Sequence, residues 1–272
     1  MNIYYLGPDG SYSHSLVKKI FTSSEKHIPC NSFHDVVAAV QSDNTGIGVL
    51  AIENSISSSV HQTVDLLYNS NVCIVGEASM NVCMNLIGSA NSAEELITDI
   101  YSHPQAIAQC SYYIQKQGCV SHEMLSTSEA VQYILSANNP AIAAIGNVEL
   151  VDNRLKILKE DIANVHNNMT RWVFIAQEGT QPLSQKINKL TYIFKVKHES
   201  GSLLKVLSAI AKLKGNLTKI ESRPLPGTHW EYGFWVDIEI DEKLRDKFDV
   251  MMKETSLQCR CVGAYEKGEL FS

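Results

Sequence analysis

Apolar positions along the chain fall into two kinds of stretch. Short unbroken runs, Ile3-Tyr4-Tyr5-Leu6, Ile47-Gly48-Val49-Leu50-Ala51-Ile52, Ala141 to Ile145 and Trp172-Val173-Phe174-Ile175-Ala176, have the length of strands, and the continuous ones suit strands buried on both faces. Between them apolar residues recur at helical spacing: Leu16, Val17, Ile20 and Phe21; Val60, Val64 and Leu67; Ile107, Cys110 and Ile114; Ala130, Ile134 and Leu135. Two further extended segments, Val72 to Val75 and Val82 to Ile87, place a crossing to a second lobe between them. Polar residues mark the helix starts. Ser11 or Ser13 caps the first, and Ser32-Phe33-His34-Asp35 is a capping box, with Asp in the Glu/Gln position, for a helix through Val40. Ser102 caps a helix with Pro104 in its first turn, and Ser126-Thr127-Ser128-Glu129 opens another. Short strands alternating with helices predict a mostly parallel α/β sheet.

The pattern changes after a polar stretch with Gly179 and Pro182, which reads as a linker over 179–189. Leu190 to Val196 is strand-like and Gly201 to Leu213 helical. Leu217 to Arg223 is a strand, Pro224 to Thr228 a turn, Tyr232 to Ile240 a strand, Lys243 to Met252 a helix and Cys259 to Val262 a last strand. That order, βαββαβ, is the ferredoxin-like split unit, a complete small domain over 190–272.

Composition narrows the class. Of 272 residues, 44% are hydrophobic and 19% charged, which gives a globular chain rather than a disordered one. The net charge of −6 and the lack of a basic run argue against nucleic acid as a partner. Apolar runs are too short for a membrane span, and the N-terminus has no signal-peptide pattern. Seven cysteines without a Cys-x-x-Cys pair or zinc-type His spacing predict reduced thiols, a cytoplasmic location and no metal site.

Four polar clusters are candidates for chemistry. Gly7-Pro8-Asp9-Gly10 joins a strand to a helix whose N-terminal N–H groups favour an anion, although an ordinary strand–helix turn would look the same. Glu53-Asn54-Ser55 ends a buried strand, where open α/β sheets bind ligands; Asn54 and Ser55 would equally cap the next helix. His103 is a possible base beside a helix start, though a structural role is commoner there. Thr170-Arg171 opens the strand that begins with Trp172. Neighbours in a strand point to opposite faces, whereas a loop entrance would let both reach one pocket.

Taken together, these motifs resemble the prephenate dehydratase family followed by an ACT regulatory domain. The similar segments are Gly7-Pro8-Asp9-Gly10-Ser11-Tyr12-Ser13, Ile52-Glu53-Asn54-Ser55, Ser102-His103-Pro104-Gln105-Ala106 with Gln109-Cys110, Ser126-Thr127 with Ala130, Ala143-Ala144-Ile145-Gly146 and Thr170-Arg171-Trp172. In the second domain they are Gly201-Ser202-Leu203 and Asn216-Leu217-Thr218-Lys219-Ile220-Glu221-Ser222-Arg223-Pro224. The resemblance implies a catalytic domain over 1–178 built like the two lobes of a periplasmic binding protein around a cleft. Lobe one covers about 1–75 and 158–178, and lobe two about 76–157. It also implies conversion of prephenate to phenylpyruvate in phenylalanine biosynthesis, without cofactor or metal because aromatisation drives the loss of carbon dioxide and hydroxide. Thr170 would be the proton donor and Arg171 the clamp on a substrate carboxylate. Ser13, Asn54, Ser55, Ser102, Gln105, Ser126, Thr127 and Trp172 would bind substrate, while Glu53 suits a structural role because a carboxylate repels a dianion. Gly201, Ser202, Leu203, Asn216, Leu217, Glu221, Ser222, Arg223 and Pro224 would bind phenylalanine as a feedback inhibitor between paired domains, in a homodimer or homotetramer.

The chain departs from the family pattern at Ser11 (usually Thr), at Ser58 (usually Gly), at Trp172 (usually Phe) and at Lys214-Gly215 before Asn216. No helical mutase segment precedes Met1, so a fused chorismate mutase is not expected. Two rivals remain: arogenate dehydratase, with an amino group in place of the keto group, and a non-catalytic two-lobed sensor.

Overall fold

The computed structural model describes residues 1–224 and 231–271. Lobe one starts with β1 (Asn2–Leu6), α1 (Tyr12–Ile20), β2 (Lys26–Cys30), α2 (Phe33–Ser42), β3 (Ile47–Asn54), β4 (Ser58–Ser59), α3 (His61–Asn69) and β5 (Val72–Asn81). Lobe two holds β6 (Asn85–Ser89), β7 (Asp99–Ser102), α4 (Pro104–Gln109), α5 (Ser111–Gln117), β8 (Val120–Glu123), α6 (Thr127–Ala137), β9 (Ile142–Gly146) and β10 (Leu155–Lys159). The chain then returns to lobe one as β11 (Met169–Gln177). The C-terminal unit comprises β12 (Lys189–Lys195), α7 (Ser202–Lys212), β13 (Asn216–Pro224), β14 (Tyr232–Glu239), α8 (Arg245–Thr255), β15 (Gln258–Tyr265) and β16 (Leu270–Phe271).

The capping signals hold at three helices: Ser11 accepts from His14 N–H, Ser32 from Asp35 N–H and Ser126 from Glu129 N–H. They fail at two. His103 caps α4, with its Nδ1 accepting from Gln105 N–H, and Val60 precedes α3 without a side-chain cap. The apolar helix expected through Ile107 and Ile114 breaks at Cys110 into α4 and α5. The short strands β2, β7, β8 and β10 carry no clear alternation; β2 contains Pro29 and β8 is polar but for Val120, so periodicity misses them.

The sheets are mixed rather than mostly parallel. In lobe one β1 pairs in parallel with β2 and β3, but β11 inserts antiparallel between β3 and β5. Lobe two runs β10-β6-β9-β7-β8, with β7 parallel to β8 and β9, and β6 antiparallel to β9 and β10. Because β5 carries the first sheet to Asn81 and β10 belongs to the second, the lobes exchange at 82–84 and 160–168. Both crossings lie later than the expected boundaries at 76 and 158. The crossings pair with each other, Val82 N–H donating to Asn168 O at 2.7 Å and Ile162 N–H to Met84 O at 2.8 Å.

The C-terminal unit has the expected βαββαβ order, antiparallel as β13-β14-β12-β15. Of the expected Pro224–Thr228 turn, Pro224 ends β13, and Leu225 to Thr228 lie outside the described residues. The linker is not free. Leu183 N–H donates to Val75 O at 2.9 Å, and Ile187 is buried. β15 pairs with β5 at Gly263 and Ile74, where a Cβ on Gly263 would stand 2.7 Å from Ile74 Cβ. The last strand, β16, also adds to β5. The first lobe and the C-terminal unit therefore share one 11-stranded sheet.

Each face of that sheet has its own core. Tyr5, Leu16, Trp172 and Phe174 pack on the side of α1 and lobe two; Val36, Leu67, Val173, Ile175, Trp235 and Tyr265 pack on the side of α2, α3 and the C-terminal unit. Alternation along β11 thus sends successive residues to different neighbourhoods. Among the described residues no helix is long and apolar enough to cross a membrane, and no group of three or more His, Cys, Asp or Glu side chains is placed to hold a metal ion.

Candidate active site

Between the lobes lies a cavity of about 350 Å³. Its walls come from the start of α1 (Tyr12, Ser13), the end of β3 (Asn54), the first crossing (Val82, Met84), α4 (Gln105, Gln109), the start of α6 (Thr127, Ser128) and β11 (Thr170, Trp172). Among the described residues no Lys, Arg, Asp or Glu lines it. The starts of α1 and α6 face in, and the first N–H groups of a helix have no partner within the helix. They supply the positive potential that charged side chains do not.

Thr170 sits on this wall and is buried. Its Oγ accepts from Asn54 Nδ2 at 2.9 Å. Asn54 cannot turn its amide round, because its Oδ1 already accepts from Ile56 N–H at 3.0 Å and from Ser57 N–H and Oγ at 2.9 Å. The Asn54 amide therefore faces Thr170 as a donor. The Thr170 hydroxyl is held as an acceptor, and its own proton is left to give.

Trp172, two residues on, shares the same wall. Its Nε1–H donates to Ser13 Oγ at 3.1 Å, a contact that Phe cannot make. Tyr12 donates to Cys83 O at 2.6 Å, and burial pushes its phenol pKa far up, so it stays neutral. Gln105, Ser126 and Thr127 line the cavity as expected, with the Ser126 hydroxyl engaged as a cap. His103 lines it too. Its capping Nδ1 places the proton of the neutral ring on Nε2.

Three expected substrate contacts are displaced. Ser102 is fully buried and donates to Ile145 O at 2.7 Å, so it neither caps α4 nor reaches the cavity. Ser55 Oγ accepts from Met169 N–H at 2.9 Å, tying the end of β3 to the start of β11. Arg171 is the largest departure. The strand begins at Met169, so Thr170 and Arg171 are both within it and point to opposite faces. Arg171 reaches away from the cavity into a cluster of carboxylates, donating to Glu53 at 3.1 Å, Glu77 at 2.9 Å and Asp237 at 2.6 Å. Asp237 lies in β14, in the C-terminal unit. Lys189 donates to Glu77 at 2.8 Å, and Lys219 lies 3.5 Å from Glu53. Burial alone would raise the Asp237 pKa; Arg171 and Lys189 hold it below the ordinary carboxylate value. Arg171 joins β11 to the second domain and does not line the interlobe cavity; with Thr170 it borders a second cavity, of about 690 Å³, between lobe one and the C-terminal unit. Glu53 has the structural role expected for it.

The expected effector residues do not gather in one place within a chain. Ser202 and Leu203 line a cavity of about 350 Å³ with His198, Tyr232, Phe234 and Leu257. Asn216 and Leu217 follow α7 at its other end, roughly 16 Å away for its 11 residues. Glu221 and Arg223 instead meet catalytic α3: Glu221 contacts His61 at 2.9 Å, and Arg223 forks onto Asp65 at 2.9 and 2.5 Å. Ser58 has φ +66°, the left-handed conformation that the family's usual glycine suits, and Lys214 has φ +58°.

Sequence reasoning assigned no role to Asn168, which bridges Asn54 and Gln109. Its only signal was position, two residues before Thr170.

The geometry can be set beside known proteins. The family model described as prephenate dehydratase matches residues 3–180. The prephenate dehydratase of Methanocaldococcus jannaschii is 36% identical over 261 residues, covering 93% of this chain and 94% of its own. The crystal structure of the Staphylococcus aureus prephenate dehydratase superposes with a TM-score of 0.85 at 27% identity, covering 98% of this chain and 100% of that one. The Arthrobacter aurescens prephenate dehydratase, solved in complex with L-Phe, gives 0.88 at 23% identity, covering 98% and 90%, and supports the fold of both domains. A two-lobed cleft with a buried threonine hydroxyl on its wall, and a family match that spans that cleft, lead to one conclusion: the chain belongs to the prephenate dehydratase family.

Proposed function

We propose that the interlobe cavity converts prephenate to phenylpyruvate, carbon dioxide and water, with Thr170 as the proton donor. The bond from the ring to its carboxylate breaks and leaves as carbon dioxide. Its electron pair moves through the diene and expels the ring hydroxyl on the far side. That oxygen takes the Thr170 proton and leaves as water, and solvent restores the proton to Thr170. The observation that carries this reading is the direction of the Asn54–Thr170 hydrogen bond, which leaves the Thr170 proton free to be donated. General-acid assistance of this kind contributes roughly 10²–10⁴-fold.

The dianion is held without a cationic side chain. The amides at the starts of α1 and α6 take its carboxylates, while Trp172, Val82 and Met84 form an apolar wall for the ring. Weak charge stabilisation suits the departing carboxylate, because its charge disappears in the transition state and tight anion binding there would favour the ground state. The same lack of charge supports prephenate over arogenate. Among the described residues no Asp or Glu lines the cavity to pair with an α-ammonium, whereas a keto oxygen needs only a donor. In a turnover assay with both substrates, kcat/KM is higher for prephenate. Thr170→Val lowers kcat by roughly 10²-fold or more with little change in KM; a variant that keeps its kcat removes Thr170 as the acid.

The C-terminal unit fits a phenylalanine sensor that works between two copies. The Gly201–Leu203 end and the Asn216–Leu217 end lie at opposite poles of α7, so one chain's pocket is completed by the other end of a second chain. This supports a homo-oligomer, dimer or tetramer. Glu221 and Arg223 then act in coupling rather than binding, through α3. The seven free thiols support a reducing, cytoplasmic setting. Phenylalanine lowers the turnover rate in the same assay; no binding and no effect on rate would exclude the sensor.

A further inference from the structure

The two crossings between the lobes meet at Asn168. Its carbonyl accepts from Val82 N–H at 2.7 Å, which fastens the second crossing to the first. Its side chain, buried, reaches both ways. Oδ1 accepts from Asn54 Nδ2 at 2.5 Å in lobe one, and Nδ2 donates to Gln109 Oε1 at 3.2 Å on α4 in lobe two. The direction of each bond is fixed from one end. Two backbone N–H groups, of Ile56 and Ser57, hold Asn54 Oδ1, so Asn54 presents its amide. Asn168 must meet that amide with its oxygen, and so turns its own amide to Gln109. The Gln109 backbone is tied to the same crossing, its main-chain carbonyl accepting from Asn164 N–H at 2.7 Å. Asn54 shares its two amide protons among Asn168, Thr170 and the Met169 carbonyl. A shift of Asn168 therefore changes how fully Asn54 donates to Thr170.

We propose that Asn168 is a positioning residue that sits at the hinge between the lobes and ties the approach of lobe two, through Gln109, to the placement of Asn54 and hence of the Thr170 hydroxyl. The role needs a short side chain that accepts on one side and bonds to Gln109 on the other. Leucine does neither. Aspartate accepts from Asn54, and Gln109 can rotate its amide to donate to it, at the cost of a negative charge beside a dianion site. The proposal rests on Thr170 being the proton donor.

The test measures kcat and KM for prephenate turnover in the full-length protein. Asn168→Leu lowers kcat roughly 10–100-fold, the scale of a small misplacement of catalytic groups, with a smaller change in KM. Asn168→Asp keeps kcat within a few-fold of wild type but raises KM, and that KM falls as the pH is lowered and the introduced carboxylate is neutralised. Gln109→Met, which cuts the bridge from the other lobe, lowers kcat as well, and adding it to Asn168→Leu causes little further loss because both break one bridge. A folded Asn168→Leu protein with wild-type kcat overturns the proposal. So does an Asn168→Asp protein as slow as Asn168→Leu, or losses that multiply in the double variant. If Asn168→Leu does not fold, Gln109→Met decides alone: lowered kcat supports the bridge and unchanged kcat refutes it. Thr170→Val measured alongside separates the two ideas. Full activity there removes the donor itself, whereas an inactive Thr170→Val with an active Asn168→Leu removes only the role of Asn168.

Discussion

Replacing Arg171 by methionine separates a residue that binds substrate from one that holds two domains together. The guanidinium is 13% exposed and contacts three carboxylates. Glu53 is 39% exposed, so solvent screens most of its loss. Glu77 is buried but keeps Lys189 at 2.8 Å. Asp237, 1% exposed, keeps the neutral donors Thr191 and Trp235, both at 2.9 Å, and the weaker, more distant attraction of Lys189. Stranding one buried charge costs about 3–5 kcal/mol, a large share of the roughly 5–15 kcal/mol by which a domain is stable. The pH dependence has a definite sign. In the wild type Asp237 is held below its unfolded pKa, so its contribution is present above the unfolded carboxylate range and lost as the pH falls through the folded value. In Arg171→Met burial acts with less opposition and raises the Asp237 pKa above the unfolded value, so stability falls as the pH rises across the same range. Urea denaturation between about pH 4 and pH 8 reads both the loss and the reversed slope. Arg171→Lys, with one ammonium for three partners, falls between. An Arg171→Met protein with the wild-type urea midpoint and a greatly raised KM would refute this account and return Arg171 to the substrate.

Other substitutions probe single contacts. Ser58→Gly relieves the φ of +66° and raises stability by up to about 1 kcal/mol in urea titration, the strain relieved being partly offset by the greater freedom of the unfolded glycine; a lower midpoint would contradict the strain argument. Trp172→Phe removes the donor to Ser13 and leaves unfilled space, costing about 1–3 kcal/mol in thermal or urea unfolding while turnover persists; abolished turnover would make the indole part of the chemistry. Gly268→Ala places a Cβ about 2.1 Å from the Glu77 carbonyl, displaces the tail that ends in β16 and lowers the urea midpoint; an unchanged midpoint would mean that the tail does not contribute to stability.

Much of this protein was legible along the chain. Periodicity located β1, β3, β9, β11 and the whole βαββαβ unit, because their burial repeats within a few residues. Local capping located the starts of α1, α2 and α6, whose partners lie three residues away in sequence. The starts of α1 and α6, with Asn54 and Thr170, line the interlobe cavity. Tertiary structure decided what depended on partners distant in the chain. Strand pairing that begins at Met169 set the directions of Thr170 and Arg171: with β3 and β5 as neighbours, Thr170 and not Arg171 lines the interlobe cavity, and Arg171 reaches the carboxylates beside the C-terminal unit. Arg171 found Asp237, 66 residues on, and Asn168 found Gln109, 59 residues back. Short-range sequence contains the hydrogen-bonding capacity of each of these side chains; only the folded sheet and the meeting of the two crossings determine which atom receives it.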